Sequence, residues 1–232
     1  MNDSLGDRMK NNYENRYRFY LTRRTPAIIR LDGRAFHTVT RGCTKPFDVR
    51  FSLCMLDTAL YLCREIQGAK CAYTQSDEIS ILLTDFDTLT TDAWFDYNIQ
   101  KIASISSGLA SAFFSKSYSN ETINVFDSRV FNIPREEVCN YFIWRQKDWI
   151  RNSIAMLAQA HFSHKELQNK KQSDMHEMLH SKGINWNSLD DRWKNGQFIF
   201  KNNEGKWLIS SKIIFNINRS VIESCLEVHD ES

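Results

Sequence analysis

The sequence predicts an α+β fold with the element order β-α-β-β-α-β, followed by a further α+β segment. Three observations support this fold class. Residues 26–31 form a short apolar run that is typical of a buried strand. Two further strand-like runs, 69–74 and 79–84, are separated by a polar tetrapeptide of hairpin length. Apolar residues at helical spacing lie on either side of this hairpin, between 48 and 68 and between 94 and 115.

The first predicted helix begins at Asp48, which is a favourable N-cap, and ends before Gly68, which suits a C-terminal cap. Its apolar side chains recur three or four residues apart, so they predict a single buried stripe. The stripe consists of Leu53, Leu56, Leu60, Cys63 and Ile66. We expect it to pack against the sheet.

The second predicted helix spans residues 94–115 and is followed by a strand at 122–133. Small residues such as Gly108 are frequent in this helix, and they allow it to lie close to a neighbouring element. Its predicted inner face consists of Ile99, Ile102, Ser106, Leu109 and Phe113. The completed order predicts a four-stranded antiparallel sheet with both helices on one face, which is the ferredoxin-like arrangement.

Residues 134–232 are predicted to form an α+β extension that packs on the first unit at 1–133, which includes an N-terminal arm. A long helix is expected from Pro134 to about Ala160, because Pro suits a first helical turn. A hairpin at 197–209 is expected near the end of the extension. The two units could also form one continuous domain.

The bulk composition limits the kinds of function that the chain can have. Its 30 Lys and Arg and 28 Asp and Glu residues give a formal charge of +2, so a uniformly basic nucleic-acid binder is not indicated. None of the six cysteines forms a C-x-x-C pair, and no stretch approaches the ~18 consecutive apolar residues of a membrane span. We therefore expect a reducing, cytoplasmic setting without a membrane. Basic residues are concentrated in an N-terminal arm that is solvated, binds a nucleic acid or contacts a neighbouring subunit: Arg8, Lys10, Arg16, Arg18, Arg23, Arg24 and Arg30.

Two acidic positions fall at matched places in the predicted sheet. Asp32 follows the first strand, and Asp77 and Glu78 occupy the turn of the central hairpin. Because these strands are neighbours in this topology, Asp32 and Asp77 are expected to converge at one edge. Converging carboxylates repel each other unless a cation lies between them, and Mg²⁺ prefers such oxygen ligands. Two ions about 4 Å apart would suit a polymerase-type palm domain, although acids are also common in ordinary turns.

Two long segments resemble the motifs of a known family. Residues 29–37, Ile-Arg-Leu-Asp-Gly-Arg-Ala-Phe-His, are similar to the first motif of the tRNA-histidine guanylyltransferases and related 3′-to-5′ polymerases. Residues 73–80, Tyr-Thr-Gln-Ser-Asp-Glu-Ile-Ser, are similar to the second. Shorter matches lie before and after these two motifs, in the family's order, at 5–10, 101–104, 126–129, 144–148 and 183–187. The likeness covers most of the chain.

The resemblance implies a palm-type fold, two Mg²⁺ ions and a set of site residues. Asp32 and Asp77 would bind metal through their carboxylates, Gly33 would bind it through its backbone carbonyl, and Glu78 would support the site. Backbone N–H groups after Gly33 would cradle the phosphates of a nucleotide. That nucleotide would be held by Asp32, Gly33, Arg34, Ala35, Phe36, His37, Ser76 and Asp77. Contacts with the RNA or the triphosphate are expected from Lys101, Arg129, Arg145, Asp148 and Asn152.

The resemblance also implies a reaction and an assembly. A 5′-monophosphorylated tRNA would first be activated with ATP. The 3′-hydroxyl of an incoming nucleotide, often GTP, would then attack the activated 5′ end with the help of metal ions. Relatives of this family are tetramers built from two dimers, so a homotetramer is expected.

The chain departs from the histidine-tRNA enzymes after the Trp-Arg-Gln-x-Asp match at 144–148. Those enzymes continue with His-Ile-Asn-Asn-Leu-Tyr-Asn, whereas residues 150–156 read Ile-Arg-Asn-Ser-Ile-Ala-Met. The resemblance therefore points to the guanylyltransferase-like branch that repairs tRNA 5′ ends. Two alternatives stay open: a palm-type nucleotide cyclase, which shares the βαββαβ core, and a non-catalytic RNA-binding module with a degenerate site.

Overall fold

The computed structural model describes residues 4–119 and 121–227 of the chain. The α-helices are α1 (Leu5–Asn12), α2 (Phe36–Val39), α3 (Val49–Glu65), α4 (Ile99–Tyr118), α5 (Arg135–His161), α6 (His164–Leu167), α7 (Gln172–Ser181), α8 (Asp191–Asn195) and α9 (Arg219–Glu223). The strands are β1 (Ala27–Gly33), β2 (Ala69–Gln75), β3 (Glu78–Leu83), β4 (Phe126–Asn132), β5 (Gln197–Lys201) and β6 (Trp207–Ser210). Within these ranges, no helix is both long and apolar enough to cross a membrane.

One antiparallel sheet of six strands organises the described chain, in the order β4-β1-β3-β2-β5-β6. Strands β1 to β4 with α3 and α4 are the predicted β-α-β-β-α-β unit, so the α+β fold class is confirmed. Strand β5 pairs with β2 across the predicted boundary at residue 133, so the hairpin β5–β6 continues the same sheet. The division into two domains at that residue stays a prediction.

Both faces of the sheet are covered, and residues along β1 alternate between two cores. Ile29 and Leu31 belong to the core beneath α3 and α4, whereas Ile28 belongs to the core beneath α5. By the same alternation, Arg30 and Asp32 project to the α5 side of the sheet. This alternation decides which side chains can meet at the end of β1.

Side-chain caps fix where α3 and α4 begin. The Asp48 carboxylate caps α3, as predicted. Helix α4 begins at Ile99 and not at residue 94, because the Asn98 side chain accepts a hydrogen bond from the backbone N–H of Lys101 at 3.0 Å. Residues 94–97 form a separate 3₁₀ helix. The sequence prediction overlooked this Asn cap.

The predicted inner faces of α3 and α4 are rotated relative to the real ones. Leu53, predicted to be buried, is 43% exposed. Phe114 is buried in place of Phe113, and nothing lies within 4 Å of a Cβ added at Gly108, so the predicted close approach there was wrong. The buried residues of α3 are Phe51, Cys54, Met55, Leu56, Thr58, Ala59, Leu62 and Cys63. Those of α4 are Ile102, Ser106, Ala110 and Phe114.

Candidate active site

The end of β1 and the turn between β2 and β3 meet at one corner of the sheet. The backbone N–H of Gly33 donates to the carbonyl of Asp77 at 3.0 Å. In the β1–β3 register, Asp32 lies directly opposite Glu78, the residue that follows Asp77. The structure therefore brings Asp32, Gly33 and Asp77 together in one place.

The turn that carries Asp77 contains only two residues, Ser76 and Asp77. Strand β2 ends at Gln75 and β3 begins at Glu78, so Glu78 lies in a strand and not in the turn where the sequence placed it. Ser76 has a φ of +49°, in the left-handed region that two-residue hairpins commonly require. A residue other than glycine rarely adopts this region, so the tight turn fixes Asp77 at some cost in backbone strain.

Two negative charges lie close together in this corner. Burial raises the pKa of Asp77, and the nearby negative charge of Asp32 raises it further. Across residues 4–119 and 121–227, no three or more His, Cys, Asp or Glu side chains are grouped so that they could hold a metal ion, so a cation here would depend on the pair Asp32 and Asp77. A pair of repelling carboxylates beside Gly33 fits Mg²⁺, which takes oxygen ligands and commonly completes its shell with water and substrate phosphate.

Glu78 is held by two arginines and is only 4% exposed. Arg145 donates from Nε to Oε1 of Glu78 at 2.6 Å and from Nη2 to Oε2 at 2.8 Å. Arg30 donates from Nη2 to the same Oε2 at 2.7 Å. Because both carboxylate oxygens are engaged in ion pairs, Glu78 is suited to positioning the neighbouring Asp77 and not to binding a metal ion.

The structure does not offer Arg145 to RNA, contrary to the prediction. Its side chain is buried, and its guanidinium lies between Glu78 and Asp148, to which it donates at 2.9 Å. Asp148 pairs in turn with the exposed Arg151. Arg145 and Asp148 are thus parts of an ion-pair network that holds the hairpin, because each uses its charge within the protein.

Arg30 is a site residue that the sequence prediction missed. It alternates with Asp32 along β1, so both side chains project to the α5 side, and this alternation was the signal that could have identified it. The guanidinium carbon of Arg30 lies 5.7 Å from the ring centroid of Trp144, and that of Arg145 lies 4.4 Å from it. Arg129 is exposed and lies opposite Arg30 on β4, so it shares this side of the sheet.

The loop after β1 carries most of the residues predicted to hold a nucleotide. Ala35 has a φ of +57°, and Phe36 after it is buried in an aromatic cluster. This anchor leaves Arg34 and His37 exposed. The backbone N–H of Arg34 already donates to a carbonyl at 2.8 Å, which leaves the N–H groups of residues 35–37 for the predicted role of cradling phosphates. The cluster around Phe36 consists of Phe51, Phe114 and Phe126.

A cleft of about 100 Å³, partly open to solvent, lies next to Ser76. Aromatic side chains form its walls: Phe47 stacks on Trp193 with ring centroids 4.9 Å apart, and Trp149 lies 6.3 Å from Phe47. Two residues that line the cleft carry a buried polar atom without a partner among the described residues, Gln75 at Oε1 and Trp149 at Nε1. Both atoms are closed off from the cleft, which presents mainly aromatic rings and so suits a planar heterocycle.

Lys101 lies far from this corner within the same chain. Ser111, further along α4, accepts a hydrogen bond from the backbone N–H of Phe126 at 2.9 Å, and Phe126 is paired with Gly33 in the sheet. Since a helix rises ~1.5 Å per residue, Lys101 lies roughly 15 Å from the level of Gly33. Lys101 therefore does not reach Asp32 and Asp77 within this chain, and its contact with the RNA or the triphosphate stays a prediction. Asn152 is exposed on α5.

Comparisons with known proteins point to one family. The family model described as Thg1, tRNAHis guanylyltransferase, matches residues 6–134. Two solved structures of a bacterial tRNA(His) guanylyltransferase (Thg1)-like protein, in complex with ATP and with GTP, are 45% and 43% identical in sequence, with TM-scores of 0.91 and 0.86. Each match covers 97% of this chain and 100% of the bacterial chain. A probable tRNA(His) guanylyltransferase of Dictyostelium discoideum is 31% identical over 198 residues, covering 75% of this chain and 74% of the relative.

The fold and the family match define the class of the protein, which is a nucleotidyltransferase with a palm-like sheet. The family model covers more than half of the residues, and a relative above 30% identity is covered over more than two thirds of its length. The chain belongs to the tRNAHis guanylyltransferase family. The resemblance indicated by the two long motifs is thereby confirmed, and family membership supports a role in adding nucleotides to tRNA.

Proposed function

We propose that this enzyme adds nucleotides, with GTP favoured, to the 5′ end of a tRNA in the 3′-to-5′ direction. The pairing of Asp32 with Asp77 carries the proposal, because it makes a site for cations next to a cleft that suits a nucleobase. The solved complexes of bacterial Thg1-like relatives with ATP and with GTP support binding of both nucleotides.

Nucleotidyltransferases of this family are generally metal-dependent, and we propose two Mg²⁺ ions for this chain. The carboxylates of Asp32 and Asp77 and the backbone carbonyl of Gly33 would hold them. When bound, the ions supply activation of the attacking oxygen and stabilisation of the charge on the transferred phosphoryl group. The repulsion between the two carboxylates supports this assignment, since cations between them would remove it.

The incoming nucleotide would lie between the loop at 32–37 and Ser76. Arg34 and His37 are the exposed polar side chains of that loop, and they would meet the phosphates of the nucleotide. Phe36 would anchor the loop through its buried ring, so that the exposed residues keep their positions.

The base of the nucleotide would occupy the aromatic cleft. The rings of Phe47, Trp149 and Trp193 would hold the base by apolar contact and stacking. Stacking between Phe47 and Trp193 leaves a flat wall along which a purine ring can lie.

The reaction consists of two displacements at phosphorus. In the first, an oxygen of the RNA 5′-monophosphate attacks the α-phosphorus of ATP, and pyrophosphate leaves. In the second, the 3′-hydroxyl of the incoming GTP attacks the 5′-phosphorus of the RNA, AMP leaves, and the hydroxyl proton passes to solvent. Arg129 and Asn152 are exposed and would contact the RNA near this end.

Three further features belong to this proposal. The enzyme would belong to the branch that repairs tRNA 5′ ends, which the altered sequence at 150–156 supports. It would assemble as a homotetramer of two dimers. It would work in the cytoplasm, which is compatible with six cysteines that are all free thiols.

Incorporation of a labelled nucleotide at the RNA 5′ end tests the proposal. A 5′-monophosphorylated tRNA that lacks its first nucleotide is incubated with enzyme, labelled GTP, ATP and Mg²⁺. We expect 5′ extension by the wild type and a loss on the order of 10³-fold for Asp77→Ala, which corresponds to about 4 kcal/mol of transition-state stabilisation. Glu204→Ala removes an exposed acid between β5 and β6 and is the matched control, with activity unchanged.

The outcomes of this assay separate the candidate functions. No extension by either protein, or equal extension by wild type and Asp77→Ala, would contradict the proposal. A cyclic product formed from GTP alone would instead support the nucleotide cyclase. Binding of tRNA without any extension would support the non-catalytic module.

The branch of the family is tested with tRNAs that differ at one position. Each lacks its first nucleotide, and the base opposite the gap is varied. A repair enzyme is expected to add the complement of that base, whereas a dedicated guanylyltransferase would add G whatever the base is.

A further inference from the structure

We infer that residues 4–20, the first part of the basic N-terminal arm and here called the arm, are an RNA-binding surface that holds the tRNA at a distance from its reacting 5′ end. The inference rests on the proposed function, since it gives the same substrate a second contact. The arm contains α1 and the 3₁₀ helix Glu14–Tyr17, and it leads into β1. It is thus joined to the strand that carries Asp32.

No side chain of the arm is buried against the rest of the described chain. Its apolar residues, which an ordinary amphipathic helix would turn towards a core, are open to solvent. They are Leu5 (65% exposed), Met9 (42%), Tyr13 (61%), Tyr17 (67%), Phe19 (62%) and Tyr20 (50%). Large apolar side chains exposed together in this way mark a surface that meets a partner.

Cationic side chains are interleaved with these rings. The arm carries four Lys and Arg residues against two acids, an excess as large as the net charge of +2 on the whole chain. Arg18 pairs with Glu14, whereas Arg8, Lys10 and Arg16 form no ion pair with any residue that the structure describes. Such a surface matches a nucleic acid, because phosphates attract the cations and unpaired bases stack on the rings.

The same charges disfavour a second copy of the arm as its partner. If two arms packed on each other about a two-fold axis, Arg8, Lys10 and Arg16 of one would face like charges of the other. An RNA carries negative charge along its whole length, so it meets these cations wherever it crosses the arm. Charge complementarity therefore favours RNA as the occupant.

The arm is attached at the end of the sheet opposite to the carboxylate pair. Tyr20 forms a β-bridge with Asn98, which is the N-cap of α4, so the arm ends beside the exposed Lys101. Strand β1 lies between this attachment and Gly33, and its seven residues span roughly 20 Å. The tRNA would be contacted about one sheet length from its reacting phosphate. Lys101 would contribute to RNA binding here and not at the corner.

RNA binding at equilibrium tests the inference without requiring catalysis. Each protein is titrated with fluorescently labelled, 5′-monophosphorylated tRNA at several salt concentrations. Two variants each remove three exposed cations: the arm variant Arg8→Ala/Lys10→Ala/Arg16→Ala and the matched control Lys165→Ala/Lys170→Ala/Lys171→Ala. For the arm variant, we expect Kd to rise on the order of 10- to 100-fold at ~0.1 M salt, and the slope of log Kd against log salt to fall by about 2–3.

The control variant and the turnover rate complete this test. For the control variant, we expect a change in Kd of less than about twofold, and kcat of the arm variant at saturating tRNA should stay within about twofold of the wild type. Unchanged affinity of the arm variant, or an equal loss in the control, would overturn the inference. A lower molar mass of the RNA-free arm variant by light scattering would also overturn it, because the arm would then join subunits.

The rings of the arm are tested by a second pair of variants. Tyr13→Ala/Tyr17→Ala removes two rings, whereas Tyr13→Phe/Tyr17→Phe retains them. We expect Kd for tRNA to rise about tenfold for the Ala pair and to change little for the Phe pair, since stacking needs only the ring. Equal effects of the two pairs would contradict the role of the rings.

These binding measurements also keep the two proposals apart. The binding measurements contain no GTP or ATP, so they do not depend on catalysis. A normal affinity of the arm variant would overturn the inference about the arm but would not bear on 5′ extension by the wild type. Conversely, an absence of 5′ extension would contradict the proposed function, and the Kd values of the variants could still be compared.

Discussion

The ionised carboxylate of Asp77 is electrostatically unfavourable in the folded chain. Its carboxylate is partly buried and lies near that of Asp32, so burial and repulsion both disfavour its ionised form. Ser76 before it has a positive φ, which maintains this geometry through the tight turn. The folded protein therefore carries a local cost in stability that a bound divalent cation would remove.

Replacing Asp77 with Asn is expected to raise the Tm of the cation-free protein at neutral pH. The pKa of Asp77 is raised in the fold by burial and by Asp32, so the unfolded chain loses this proton at a lower pH than the folded chain does. The contribution of Asp77 to the stability of the wild type should fall as pH rises from the ordinary Asp pKa, ~3.9, through the raised value. The difference in Tm between Asp77→Asn and the wild type should grow over this pH range and stay constant above it.

Thermal unfolding in EDTA across this pH range measures the effect. Asp190→Asn is a suitable control, because the pKa of Asp190 is lowered by its hydrogen bond with the backbone of Arg192, and its removal should act in the opposite direction. A Tm advantage of Asp77→Asn that does not vary with pH would argue against the electrostatic origin.

Arg145→Ala is expected to destabilise the protein by up to about 3–5 kcal/mol, because it removes the bidentate partner of the buried Glu78 and leaves only Arg30 paired with it. Arg151→Ala is the matched control: Arg151 also pairs with an acid of the network, Asp148, but it is exposed. The control should cost at most about 1 kcal/mol. Urea unfolding measures both, and equal losses would show that the network does not hold the hairpin.

At the scale of single elements, local signals in the sequence were sufficient to predict the order of strands and helices in the first unit. The apolar run of β1, the Asp48 cap and the polar turn each lie within a few residues. The rotation of the helices was harder to predict, because aromatic residues occur on adjacent positions of α4. Phe114 enters the core, while Phe113 stacks on Tyr61 with ring centroids 4.4 Å apart.

The parts of the site that join distant segments could not be read from local patterns. Glu78 and Arg145 are 67 residues apart in sequence, and their ion pair depends on α5 crossing the sheet at β3. The cleft draws its walls from Phe47, Trp149 and Trp193, which belong to three separate segments. The carboxylate pair was predictable, because the strand order alone makes β1 and the hairpin neighbours.

Gly33→Ala is expected to destabilise the end of β1 by about 1–3 kcal/mol. A Cβ at Gly33 would lie 2.5 Å from Cγ of Phe36, whose buried ring anchors the nucleotide loop. Gly108→Ala is the matched control on α4: nothing lies within 4 Å of its added Cβ, so it should stabilise the helix by up to ~1 kcal/mol. Urea unfolding of both variants checks the signs, and a stabilised Gly33→Ala would contradict the packing described here.

At the scale of the whole molecule, the segment after residue 133 completes both the sheet and the site. Strand β5 pairs with β2, and α5 brings Arg145 and Trp149 to the corner of Asp77. From the sequence we predicted that this segment packs on the first unit, but not that it extends the sheet. Strand pairing between residues more than a hundred positions apart leaves no local pattern. We expect the tRNA to span the molecule between the carboxylate corner and the arm.

The most direct test of metal binding at Asp77 is a change of metal preference. In Asp77→Cys a thiolate replaces the carboxylate, and thiolates favour softer ions than Mg²⁺. The measurement is labelled GTP incorporation at the tRNA 5′ end with Mg²⁺ alone and with added Cd²⁺. We predict that Asp77→Cys loses activity on the order of 10³-fold with Mg²⁺ and regains at least about tenfold with Cd²⁺, while Asp77→Ala regains none. Full activity of Asp77→Cys with Mg²⁺, or equal recovery of both variants with Cd²⁺, would contradict the assignment of Asp77 as a metal ligand.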